Sequence, residues 1–130
     1  MEENFNIEII SPNKKILTSE CSEVIIPAYE GLITILKDHI PLVTFLRPGF
    51  VEVKNKTENK IFFIAEGTVE FSENNLLILT TFAKNVKDIT NEEVLKLISE
   101  AEKKLVNQNQ SDKEKYILSY QVETLKQISQ

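Results

Sequence analysis

Near residue 86 the spacing of apolar residues changes from every second position to every third or fourth, so the two parts of the chain cannot share one kind of secondary structure. Before that point, Phe5-Asn6-Ile7-Glu8-Ile9, Phe50 to Lys54 and Thr68 to Phe71 alternate apolar with polar, as half-buried strands do. Val24-Ile25-Ile26, Ile33 to Leu36, Ile61 to Ile64 and Leu76 to Leu79 are denser in apolar residues, which predicts strands covered on both faces. Turn residues at Ser11-Pro12-Asn13, Gly31, Pro48-Gly49, Gly67 and Asn74-Asn75 separate them. Short strands with frequent turns predict an all-β sandwich, or flattened antiparallel barrel, over residues 1–86. From 87 to 130 the pattern is helical. Thr90-Asn91-Glu92-Glu93 and Ser111-Asp112-Lys113-Glu114 match capping boxes, and Val94, Ile98, Ala101, Leu105 and then Leu118, Val122, Leu125 form apolar stripes. Asn107-Gln108-Asn109-Gln110 divides them, predicting an antiparallel two-helix hairpin. Such a hairpin is marginal alone, and its stripes need the flank of the sandwich or a partner protein.

Composition removes several functions. The net charge of -5 works against binding a polyanion, so no nucleic-acid partner is expected. The single Cys21 cannot close an intramolecular disulfide, and Met1-Glu2-Glu3-Asn4 has no basic and apolar export pattern, which points to a reducing compartment. No apolar run approaches the roughly 20 residues that span a bilayer, so work at a membrane would go through a partner. With one His and one Cys in different segments there is no paired nucleophile and base and no zinc ligand set. No GxxxxGK[ST] or GxGxxG loop is present, because Gly31, Gly49 and Gly67 stand far apart. Neither an enzyme nor a cofactor site is expected.

The most informative segment runs from Glu30 to Gly49 and includes Gly31-Leu32-Ile33, His39-Ile40-Pro41-Leu42 and Pro48-Gly49. Its residues describe a turn, a buried strand, a second turn with the lone His39, a short strand, and a turn whose glycine permits positive φ. His39 is read in one way as a local hydrogen bond to backbone ahead of Pro41. The segment also resembles the signature of the epsilon subunits of rotary F-type ATP synthases, in which a Gly corner precedes a strand, His-x-Pro-Leu and Pro-Gly. Phe63 to Phe71, with Gly67-Thr68-Val69-Glu70, and Asn75 to Ala83 continue the resemblance, as do the length and the closing helical pair. Thr34, Lys37 and Glu66 depart from the usual pattern at exposed corners. Ile89-Thr90-Asn91-Glu92-Glu93-Val94 lacks the Asp and Arg of ATP-binding members, which argues against nucleotide binding.

The resemblance implies a non-catalytic central-stalk subunit without a cofactor, gripping the gamma subunit and resting on the c-ring of a membrane-embedded synthase at the cytoplasmic face of a bacterial inner membrane. Position by position, it places the c-ring contact on Glu30, Gly31 and Leu32, and gamma contacts on Ser11, His39 and Thr44. The hairpin reaches the catalytic head in some members and inhibits hydrolysis there. Here Lys113, Lys115 and Lys126 balance Asp112, Glu114 and Glu123, so weak inhibition is expected. From a different class, a free-standing β-sandwich binding module with a helical recruitment arm fits the same pattern.

Overall fold

The structure, a computed structural model, describes residues 3–107 and 109–128. Met1 and Glu2 of the polar opening, and Gln108 of the break between helices, lie outside them. The strands are β1 (Phe5–Ser11), β2 (Lys14–Cys21), β3 (Glu23–Ala28), β4 (Gly31–Leu36), β5 (Leu42–Leu46), β6 (Gly49–Lys54), β7 (Asn59–Ile64), β8 (Gly67–Ser72), β9 (Asn75–Thr80) and β10 (Ala83–Asn85). A 3-10 turn over Val86–Asp88 leads to α1 (Asn91–Leu105) and α2 (Asp112–Ile128). The strands form one path, β10-β7-β6-β3-β5-β8-β9-β1-β2, with β4 paired to β3. Folded over, this path is the expected flattened barrel, followed by the expected helical pair.

Pairing is antiparallel except between β1 and β9, where Asn6 to Ile10 run parallel to Asn75 to Leu79. β1 is already joined to β2 by the Pro12-Asn13 turn, so its remaining edge is filled by a strand arriving from much later in the chain. Phe5, Ile7 and Ile9 point inward with Ile26, Ile35, Leu46, Val51, Ile64, Val69, Phe71, Leu76 and Ile78, giving one continuous core. At roughly 1.5–3 kcal/mol for each fully buried large side chain, this core dominates the stability of the head.

The dense apolar runs divide. Phe62, Phe63 and Ile64 of β7 are all buried because the helices cover the outer side. β4 and β9, expected to be covered on both faces, expose Leu32, Leu36 and Leu79 instead. Apolar density records what a strand can tolerate, whereas burial depends on whether another layer arrives.

Gly49 was expected to serve a turn through positive φ. Its φ lies outside that region, which among the glycines only Gly31 enters. A Cβ at Gly49 would lie 2.8 Å from the Pro27 Cβ, so close strand approach is what requires glycine there. The two-residue β8–β9 turn places both Glu73 (φ 48°) and Asn74 (φ 60°) in the left-handed region, the type I′ geometry that matches strand twist.

Both helices begin as their capping residues dictate. The Thr90 hydroxyl accepts from the Glu93 amide at 3.1 Å, while the Glu93 carboxylate pairs with Lys84 Nζ at 2.9 Å and ties α1 to β10 rather than turning back. At Ser111 the box is reciprocal: its hydroxyl accepts from the Glu114 amide at 3.1 Å and its amide donates to the Glu114 carboxylate at 3.4 Å. Val94, Ile98 and Ala101 of α1 and Leu118, Val122 and Leu125 of α2 close over Phe63, with Phe50 and Phe82 beside it. The hairpin is thus docked on the outer side of β6 and β7.

Candidate functional site

The register of β5, β8, β9 and β1 fixes which side chains share a face, because directly paired residues project to the same side. Leu42, Phe71, Leu76 and Ile7 form one inward row; Thr44, Val69, Ile78 and Ile9 form another. The intervening positions face outward: Val43, Glu70, Leu77 and Glu8 in one row, Phe45, Thr68, Leu79 and Ile10 in the next. The start of α2 reaches only the edge of this side, where Lys113 borders a cleft with Phe45, Thr68 and Leu79. Val43 is 77% exposed, Phe45 63% and Leu79 46%. Large apolar side chains grouped on a rigid sheet face characterise an interaction surface.

The residues proposed for partner contact fall around this face. Ser11 ends β1, where its hydroxyl donates to the Lys14 carbonyl at 3.2 Å and closes the β1–β2 turn. Thr44 lies on β5 in an inward row and is half-buried, so its neighbours Val43 and Phe45 provide the outward surface. His39 lies in the β4–β5 loop, at the opposite end of the sheet from Ser11. Its Nδ1 is 2.7 Å from the Ile40 carbonyl, the local bond read from the sequence, and its ring meets the Phe71 ring edge-on at 5.9 Å. The loop is pinned by Asn74, whose Oδ1 accepts from the Asp38 amide at 2.7 Å and whose Nδ2 donates to the Asp38 carboxylate at 2.9 Å. Ser11, Thr44 and His39 therefore sit along one flank without meeting.

Glu30, Gly31 and Leu32 form a second, separate feature. They make the corner between β3 and β4, with Gly31 at φ 134° and Leu32 68% exposed. Across the 6 residues of β4, at about 3.3 Å per residue, the corner stands roughly 20 Å from the His39 loop.

Sequence reading missed Val43, Phe45 and Leu79. The available signal was the apolar density of Leu76 to Leu79, read as cover on both faces, and the apolar residues within Leu42 to Leu46, read only as a short strand.

Chemistry elsewhere is sparse. Cys21 is fully buried with its thiol against the Phe5 carbonyl, and burial pushes its pKa up to about 12, so it offers no thiolate near neutral pH. Among the described residues no group of His, Cys, Asp and Glu could hold a metal ion. Two clefts of about 670 and 620 Å³ flank the hairpin. The first has a Phe63, Phe82 and Ile117 floor, and its Glu114 is committed to the Ser111 cap. The second sets Arg47 and Glu52 among Ile25, Pro27, Phe50 and Ile61. No described helix is long and apolar enough to cross a membrane.

Comparison with known proteins agrees with this geometry. A family model for the β-sandwich domain of the ATP synthase delta/epsilon chain matches residues 4–86. The ATP synthase epsilon chain of Pelagibacter ubique strain HTCC1062 is 38% identical over 130 residues, covering 99% of this chain and 100% of that protein. The ATP synthase epsilon chain of Rhizobium etli strain CIAT 652 is 31% identical over 106 residues, covering 81% of this chain and 78% of its own. Among solved structures, a chain of the Euglena gracilis mitochondrial ATP synthase (OSCP/F1/c-ring) superposes with a TM-score of 0.76 at 21% identity, covering 98% of this chain and 82% of that one. A chain from the central stalk/c-ring of the Tetrahymena thermophila mitochondrial ATP synthase gives 0.68 at 15% identity, covering 96% of each. At these identities the two structures speak to the fold alone.

Proposed function

The chain belongs to the ATP synthase epsilon chain family, and from that premise we propose that it is a non-catalytic central-stalk subunit which passes c-ring rotation through the gamma subunit to the catalytic head. The observation that carries this reading is the exposure of Val43, Phe45 and Leu79, from two adjacent outward rows, on an otherwise well-packed sheet. Transmitting torque requires a broad non-covalent grip that does not deform, and a β-sandwich closed around one core supplies a stiff platform for it. In this reading the head, residues 1–86, holds gamma with the flank carrying Ser11, His39, Thr44, Val43 and Phe45. The Glu30-Gly31-Leu32 corner meets the c-ring. The corner adjoins the Phe45 end of that flank through Tyr29 and stands roughly 20 Å from the His39 loop at the other end. The protein then lies at the cytoplasmic face of a bacterial inner membrane, held there by its partners.

A pulldown from detergent-solubilised membranes tests the assignment. The full chain is expected to return gamma and the c-ring, and Val43→Glu combined with Phe45→Glu is expected to lower gamma recovery more than about tenfold, the scale of losing buried apolar anchors at an interface centre. Unchanged recovery would place gamma elsewhere. Return of neither partner by the wild type would favour a free-standing binding module.

The hairpin, residues 87–130, is assigned a weak regulatory part. α2 contains 17 residues and therefore extends only about 26 Å, and the six charged residues from Asp112 to Lys126 cancel. Deleting residues 87–130 and assaying ATP hydrolysis by the assembled complex is expected to leave the rate little changed. A several-fold rise would show strong inhibition.

A further inference from the structure

The three tyrosines and the sole arginine of the sequence converge where α2 meets the edge of the head. Phe45 and Tyr29 have ring centroids 6.4 Å apart, Tyr29 and Tyr116 5.7 Å, and Tyr116 and Tyr120 4.8 Å. The Arg47 guanidinium carbon lies 4.4 Å from the Tyr120 ring centroid. Each separation falls within the range over which aromatic rings, or a cation and a ring, attract one another. The run starts on the uncovered outer face at Phe45, crosses to α2 through Tyr29, follows one helix face from Tyr116 to Tyr120, and returns to the head at Arg47.

Both ends are thus anchored at the same end of β5. Arg47 is held in place there, its amide donating to the Pro27 carbonyl at 3.0 Å and its guanidinium to the Pro48 carbonyl at 3.4 Å. Burial, with Glu66 nearby, holds the Tyr29 hydroxyl above its usual pKa, so the bridging ring stays neutral. α1 has its own tie to the head through Lys84 and Glu93. The aromatic run belongs to α2.

We propose that this run is a latch coupling the outer face of β5 to the docking of α2, so that a partner covering Phe45 tightens the helix against the head. The identity of that partner, gamma, rests on the central-stalk reading given above. Covering Phe45 fixes its rotamer against Tyr29, so the outermost ring contact of the run is held in place while the partner is bound. Because coupling between two binding events is reciprocal, a docked α2 raises affinity for the partner by the same factor.

Amide hydrogen exchange on the full chain, alone and saturated with purified gamma, tests the latch. In the wild type, bound gamma is expected to slow exchange of the α2 amides from Tyr116 to Leu125 by about threefold to tenfold, the worth of one aromatic contact. Tyr29→Leu removes the bridge while leaving the apolar packing of α2. It is expected to speed α2 exchange in the free chain by a similar factor and to abolish the response to gamma, with β1 and β9 amides unchanged. Bound gamma without an effect on wild-type α2, or an undiminished response in Tyr29→Leu, would overturn the coupling. If the wild type failed to bind gamma, the coupling would fall with the central-stalk reading, while the free-chain comparison would still decide whether the run fastens α2.

Discussion

Replacing Phe63 with alanine is expected to release the helical hairpin while leaving the β head folded. Phe63 is 1% exposed and lies beneath Val94, Ile98, Ala101, Leu118, Val122 and Leu125, its ring centroid 6.0 Å from that of Phe82. Truncating a buried phenylalanine costs about 3–5 kcal/mol through lost transfer energy and the cavity left behind. Here the loss falls on the contact between helices and sheet, because the Phe63 side chain faces outward from β7, away from the central core. Two short helices have little stability of their own, so most of the deficit should appear in their docking. The expected signature is a separate, early loss of helical circular dichroism and of amide protection in α1 and α2, while β1 and β9 keep theirs. A single unfolding transition with helices fully protected would count against this division of the energy.

Gly67→Ala is expected to damage the head itself. A Cβ there would lie 2.3 Å from the Leu79 carbonyl oxygen and 3.1 Å from the Thr80 Cα. Both obstacles are main-chain atoms of a paired strand: β9 is held by β8 on one side and by β1 on the other. Relief therefore requires a strand to move rather than a side chain to turn. Overpacking typically costs 1–3 kcal/mol and sometimes more, and a main-chain collision belongs at the upper end, about 3 kcal/mol. For a protein of this size that corresponds to a fall in Tm of about 10 °C. Gly31→Ala is the informative comparison, because its Cβ meets nothing within 4 Å and only the φ of +134° opposes it. A loss of about 1–2 kcal/mol is expected from that backbone strain. Equal Tm changes for the two variants, measured by calorimetry, would refute the steric account.

How far the sequence reached depended on whether the deciding contact was local. The alternation in Phe5 to Ile9 and the boxes at Thr90 and Ser111 are set by neighbours within a few residues, and they could be read directly. β2 escaped notice because Ile16 and Leu17 are adjacent and interrupt its alternation, and β10, with three residues, is too short to show a period. The reason for Gly49 was obscured because Pro27 is brought against it by folding. At the candidate site, His39 and the Gly31 corner were visible through their turn chemistry. Val43 and Phe45 were not singled out within their short strand, since nothing local tells an apolar residue which face of a paired strand will be left bare. The meeting of Tyr29, Tyr116, Tyr120 and Arg47 needs the whole topology before it exists.

The parallel pairing of β1 with β9 also sets an order of events during synthesis. Asn6 and Asn75, whose side chains hydrogen-bond at 3.1 Å, are 69 residues apart. The first strand therefore leaves the ribosome with only its β2 hairpin partner, and its second edge stays open until the ninth has been made. At about 5–20 residues per second that interval lasts several seconds. During it, Ile7 and Ile9 lack their final cover, which makes the nascent amino-terminal hairpin the stage at which a chaperone has most to protect.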